Sequence, residues 1–258
     1  MSVILTMFSF TLSPPLTSAP VSSAPRASTT IRKVDHRTRV AAERRERMRA
    51  RLLESALAVF AEKGVGASVI QDVIAAAGVS QGTFYNYFRT NEELLHAVAN
   101  DLSNELIESI ERQVVAYADP ARRIAAGVRL YLHRGRAFPL LARFVVRTGV
   151  HIANPHNLVY RYLPPHLEAG FASGRFDHVP VEVALDLITG QALLALARML
   201  SDGAARDYPE RVVVALLRAL GVARAEAEKI AFAPLGELPV KEESLLARAT
   251  ERVEGAGR

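Results

Sequence analysis

The chain has 258 residues, half of them apolar and 23% charged, with 32 Lys and Arg against 27 Asp and Glu for a formal net charge of +5. It contains no cysteine and no tryptophan, which excludes a disulfide framework, a thiolate zinc site, an Fe–S cluster and a cysteine nucleophile. Such a composition fits a folded globular chain with ample core, not a disordered one.

The first thirty residues differ from the rest. Residues 3–12 are a short apolar run, followed by Pro14, Pro15 and a stretch rich in Ser, Thr, Ala and Pro. No Lys or Arg precedes the run, which argues against a signal peptide. The run is also too short for a membrane span, which needs about 20 apolar residues. Residues 1–34 are therefore expected to be a disordered extension, or a misassigned start with Met7 or Met48 as the true one. Arg or Asp interrupts every other long apolar run, so no membrane partner is expected and a soluble, cytoplasmic protein is.

The basic excess is a patch. Residues 26–51 carry ten Lys and Arg against Asp35, Glu43 and Glu46, whereas residues 92–111 carry six acids and no Lys or Arg. A basic segment at the start of a folded region is either a solvated helix face or a nucleic-acid arm, and the elements next to it in the chain decide between the two. Leu52, Leu53, Ala56, Leu57 and Phe60 recur at helical spacing and predict a helix over 38–63, ended by Gly64 and Gly66. Ser68 and Gln71 form a capping-box pattern that opens a short helix to about Ala76. Gly78 supplies the freedom for a tight turn, and Ser80 is placed to cap a second short helix over 81–88. Thr90 and Glu93 form another capping box, opening a long helix with Leu94, Leu95, Val98, Leu102, Leu106 and Ile110 on one side.

Two short helices joined by a glycine turn behind a longer helix predict a helix-turn-helix. The start of the second short helix must be slim to enter a major groove, and Gln81, Gly82 and Thr83 are small or polar. Phe84 and Phe88, four apart, anchor its back. Tyr85, Asn86 and Tyr87 then project toward the groove and its phosphate walls.

The run from Ala77 to Phe88 (AGVSQGTFYNYF), followed by Asn91-Glu92-Glu93-Leu94-Leu95, resembles the DNA-binding domain of the TetR/AcrR family of bacterial repressors over about residues 38–95. The resemblance implies an all-α homodimer, with an N-terminal three-helix domain that binds a palindromic double-stranded DNA operator. It further implies a helical C-terminal domain for dimerisation and for a small-molecule effector that releases the DNA. By position it places Gln81, Gly82, Thr83 and Asn86 at bases and Tyr85 and Tyr87 at phosphate or sugar. Ser68 falls beside the DNA backbone, and Arg37, Arg39, Arg44 and Arg45 form an arm in the minor groove or on phosphate. The chain departs from the family pattern at Asn91, where Lys is usual, and at Val73-Ile74, where Ile-Ala is usual.

Further along, Asp119 and Pro120 start a helix running to about Arg134. A short segment over 139–149 comes next. Asn154-Pro155 and Pro164-Pro165 break the pattern, and a short helix ends at Gly174. This stretch combines aromatics, histidines and broken helices, which suits a ligand pocket or a plain core equally. Ligand contact is expected from Tyr131, Phe138, Phe144, His151, Tyr160 and Phe171. No metal-binding, nucleophile-elbow or phosphate-loop motif occurs, so neither a cofactor nor a metal nor an enzymatic role is expected. Residues 180–201 and 208–220 are apolar almost all round and should bury two sides, one in the protomer and one in a partner. The interface is expected from Leu185, Leu193, Leu196, Val213 and Leu217. A short helix over 224–233 completes this region.

The expected organisation is an extension at 1–34, a DNA-binding domain at 35–95, an effector and dimerisation domain at 96–233 and a tail at 234–258, in which Leu245 and Leu246 can dock. The expected function is a ligand-responsive repressor. The alternative is a transcriptional activator or an effector-independent DNA-binding protein.

Overall fold

The computed structural model describes residues 36–66, 69–152, 157–201, 204–239 and 241–256. The expectations for residues 1–34, for the Ser68 capping box and for Asn154-Pro155 lie outside the described residues. Every regular element described is a helix: α1 (His36–Lys63), α2 (Val69–Ala77), α3 (Gln81–Tyr85), α4 (Asn91–Val114), α5 (Pro120–Ala137), α6 (Pro139–Thr148), a 3₁₀ turn (Gly149–Ile152), α7 (Val159–Ala172), α8 (Val181–Leu200), α9 (Tyr208–Ala219), α10 (Arg224–Ala231) and α11 (Leu245–Ala256). The chain divides after Val40 into two compact units. Of the first, only the opening of α1 is described, and the packing of the helices belongs to the second.

The apolar stripe of α1 is buried as its spacing requires, with Leu52, Ala56, Leu57 and Phe60 fully enclosed. Each such large side chain contributes roughly 1.5–3 kcal/mol by leaving water. Phe60 meets Phe144 of α6 edge-on, ring centroids 6.3 Å apart, so the first helix is packed directly onto the later ones. α5 is the central post, in contact with α4, α6, α7, α8, α9 and α10. Gly135 permits the close approach of α8: a Cβ there would sit 2.3 Å from Leu196 Cδ2.

α5 and α9 are joined by a charged cluster. The Glu210 carboxylate accepts from Arg129 Nε at 3.2 Å, lies 3.1 Å from its Nη2 and faces His133 Nε2 at 2.9 Å. Burial alone would raise the Glu210 pKa, but the His133 bond, its own backbone bond and the nearby cations outweigh it and hold the carboxyl below its ordinary 4.5. Asp119 caps α5 through the Ala121 N–H and pairs with Arg175, and it too lies below its ordinary value although burial opposes this.

Two expectations are corrected and one is extended. Pro164 and Pro165 lie inside α7 and do not end it. They deprive the carbonyls of Tyr160 and Arg161 of intrahelical donors, but both residues are exposed, so water can serve them. The tail after residue 233 is ordered where docking was expected, and what the sequence left out is its helix: α11 buries Leu245, Leu246 and Ala249 and packs on α4 and α6. α8, finally, is long and apolar enough to cross a membrane by length and composition, despite Glu182, Asp186 and Arg198, and a third of that window is buried within the protomer.

Candidate functional site

The reading head is built by α1 to α3 and the start of α4. Gly78 takes a positive φ of 61° and turns the chain between α2 and α3. Ser80 then caps α3: its Oγ accepts the Thr83 N–H at 3.1 Å and lies 2.9 Å from Thr83 Oγ1. Thr90 caps α4 through the Glu93 N–H at 3.0 Å. Glu93 reaches back to the N–H of Arg89, one residue before the cap, and closes a variant of the expected capping box. These bonds fix the phase of α3. Phe84 and Phe88 point inward and are buried, while Gln81, Gly82, Tyr85 and Asn86 are exposed. Thr83 and Tyr87 are half-buried, Tyr87 against the core. Tyr85 is 43% exposed and stands edge-on against Phe84, centroids 5.4 Å apart.

Asn91, at the position where a lysine is usual, gives its Nδ2 to the Gly66 carbonyl at 3.4 Å and ties α4 to the loop after α1. At the other departure, Val73 is buried and Ile74 packs against the core. Arg44 and Arg45 project from α1 into solvent. Arg39, also exposed, belongs to the N-terminal unit. The side chain of Arg37 and the whole of Ser68 lie outside the described residues. Further along α1, Arg49 binds Asp101 of α4 at 2.8 Å and Lys63 binds Asp72 of α2 at 2.8 Å.

Behind the head lies a cavity of about 410 Å³ between α4, α5, α7 and α8. Its apolar wall includes Ile107, Ile110, Ile124, Val128, Leu163 and Ile188. Two hydrogen-bonded pairs interrupt that wall. His166 Nε2 faces Glu111 Oε2 at 2.8 Å, and Ser103 Oγ donates to Asn157 Oδ1 at 2.6 Å. Arg123 lines the cavity but gives its Nε to the Tyr117 carbonyl at 2.6 Å. The Tyr131 phenol is also in the lining and has no hydrogen-bond partner among the described residues. Burial pushes its pKa up to about 12, so it remains an uncharged donor across the neutral range.

Of the six residues expected at a ligand, Tyr131 and Tyr160 line this cavity. The other four do not. Phe144 is core, spent on Phe60. Phe138 lies beneath the Arg134 guanidinium, and Phe171 packs on Phe176 and His178. His151 is exposed on the 3₁₀ turn. Sequence reasoning missed Glu111, His166, Ser103 and Asn157. The available signal was on α4: Ser103, Ile107, Ile110, Glu111 and Val114 recur at helical spacing beside the Leu102, Leu106, Ile110 stripe, and all five line the cavity.

The interface residues are corrected too. Leu196, Val213 and Leu217 are fully enclosed in the protomer and Leu185 nearly so; Leu193 is half-buried and lines the cavity. None is an outward apolar residue. The outward apolar stripe of α8 is Val183, Leu187 and Leu194, which are 55%, 36% and 66% exposed. α9 turns Arg211, Ala215 and Arg218 outward.

A capped helix-turn-helix with an exposed recognition face, joined by one long helix to a helical body with an internal apolar cavity, defines a one-component regulator: reader and sensor in a single chain. Known proteins carry the same pairing. Residues 52–98 match the family model described as bacterial regulatory proteins of the tetR family, and residues 119–233 match the tetracyclin repressor-like C-terminal domain. The crystal structure of RolR in complex with resorcinol superposes with a TM-score of 0.60 at 32% identity, over 77% of this chain and all of that one. The chain belongs to the TetR family. The transcriptional repressor KstR2 of Mycobacterium tuberculosis is 33% identical over 31% of this chain and 54% of its own. The matched region thus spans from about a third to about half of the length of the first curated relatives. FadR of Bacillus subtilis, solved with stearoyl-CoA, has a TM-score of 0.55 at 22% identity over 66% of this chain and 96% of its own, a likeness of fold alone.

Proposed function

We propose that the chain is a transcriptional repressor that binds a palindromic operator as a homodimer and leaves it when a small molecule fills the cavity. The observation that carries this reading is the path of α4: it starts at the capped reading head and lines the cavity from Ser103 to Val114. An effector with different affinity for two positions of α4 changes the spacing of two heads, and the coupling equals that difference. An effector-independent DNA binder has no use for a cavity of about 410 Å³. Gln81, Gly82, Thr83 and Asn86 are assigned to bases, Tyr85 and Tyr87 to the backbone, and the arginines of α1 to phosphate. The dimer is assigned to the α8 stripe of Val183, Leu187 and Leu194. The protein is assigned to the bacterial cytoplasm, without catalysis.

A mobility-shift titration with the intergenic DNA upstream of its own gene tests the reading. Affinity should fall steeply with salt, because phosphate-bound cations release counterions. Binding that is absent, or flat with salt, overturns it.

A further inference from the structure

We infer that the cavity takes a compact, uncharged, hydroxylated ring compound, whose hydroxyl is held between Tyr131 and the His166–Glu111 pair, and that it rejects carboxylates and acyl thioesters. This rests on the regulator reading and names the ligand class of the same cavity.

Ten of the 24 residues of the lining carry polar side chains, and Tyr131 of α5 lies near the level of the His166–Glu111 pair. The Tyr131 phenol is a donor with no partner among the described residues, and its half-buried ring leaves the O–H open to the cavity for a ligand acceptor. Glu111 accepts from His166 Nε2 at 2.8 Å. The second ring nitrogen, Nδ1, has no partner among the described residues. A hydroxyl both donates and accepts, so one such group can meet the Tyr131 O–H and this nitrogen together. The two are within reach of one ring. Gly127 of α5 faces Ile110 and Val114 of α4, where a Cβ would lie 3.6 Å from Ile110. Tyr131 is therefore about one helical turn, ~5.4 Å, from the level of Glu111. The Ser103–Asn157 pair lies eight residues or about 12 Å back along α4, out of reach of that ring.

Charge excludes the anions. Glu111 and Asp186 in the lining outnumber Arg123, whose Nε is already held by Tyr117. A carboxylate brought there loses its water and meets excess negative charge. The volume suits one or two rings, not a long acyl chain with its nucleotide head.

The test is calorimetric and thermal-shift titration of the full chain with resorcinol, phenol, toluene, benzoate and stearoyl-CoA. Resorcinol and phenol should bind and raise Tm. Toluene, which fills the same volume without the hydroxyl, should bind about tenfold or more weakly, and benzoate and stearoyl-CoA should not bind. Tyr131→Phe removes a hydroxyl that has no protein partner, so Tm without ligand should be unchanged and the phenol-over-toluene preference should collapse. The inference is overturned if neither phenol binds, if toluene matches phenol, if benzoate or stearoyl-CoA binds more tightly, or if the phenylalanine variant keeps the preference. Failure of these titrations leaves salt-dependent DNA binding by the free protein untouched, and loss of that binding would count against the regulator reading instead.

Discussion

Tyr85 shows how much one side chain's phase settles. Its neighbours Phe84 and Phe88 are enclosed, so the ring has little to lose from truncation and stands beside Gln81, Gly82 and Asn86 on the outer face. Tyr85→Ala should weaken operator binding by about 1–3 kcal/mol, leaving Tm unchanged; unaltered affinity in the mobility shift would remove Tyr85 from the contact. Glu210 carries a pH signature. Its carboxyl is held below the ordinary 4.5 in the folded chain, where His133 and Arg129 outweigh the opposing effect of burial. Its contribution is therefore present in full above the unfolded value and disappears as pH falls through the folded one. Stability should drop as pH falls below about 5, and Glu210→Gln should flatten that part of the curve, as read from Tm against pH. An unchanged slope would assign the acid sensitivity to Asp119 and its Arg175 partner.

Among the helices, α11 has the least expected role. It lies beyond residue 233, where the family match ends, yet it is stitched along the body. Arg129 donates to the Ala233 carbonyl at 2.7 Å, and Arg134 reaches the Leu238 carbonyl. Arg248 and Arg252 then clamp the buried Glu54 of α1, at 2.7 and 3.0 Å. α11 therefore holds the first helix of the reading head to the helices that wall the cavity. Glu54→Ala should cost about 1–3 kcal/mol, the range for hydrogen bonds to a charged group, measured by urea unfolding. Truncation after residue 233 should cost more, because Leu245 and Leu246 leave the core with it. A truncated chain of unchanged stability would show that the docking is energetically idle.

At the scale of the whole molecule, the proposed dimer has its test in the α8 stripe. Leu194 is 66% exposed and Leu187 stands two turns before it on the same face, so Leu187→Glu with Leu194→Glu should yield folded monomers in analytical ultracentrifugation. A surviving dimer would place the interface elsewhere. The reading head was legible from local chemistry. Ser80, Thr90, Gly78 and the Phe84–Phe88 spacing act within one or two turns, and their hydrogen bonds and phase come from neighbours in the chain. The cavity was legible only in Tyr131 and Tyr160, because aromatic content in residues 138–176 does not say which rings face a void. Phe144 went to Phe60, 84 residues away, whereas Glu111 and His166, 55 residues apart, came together. The apolar run of α8 predicts burial on two sides, but its composition alone could not divide Leu196, turned inward, from Leu194, turned out. Period and capping are properties of a segment; which face meets solvent, cavity or partner is set by the helices packed around it, and only their arrangement supplies that.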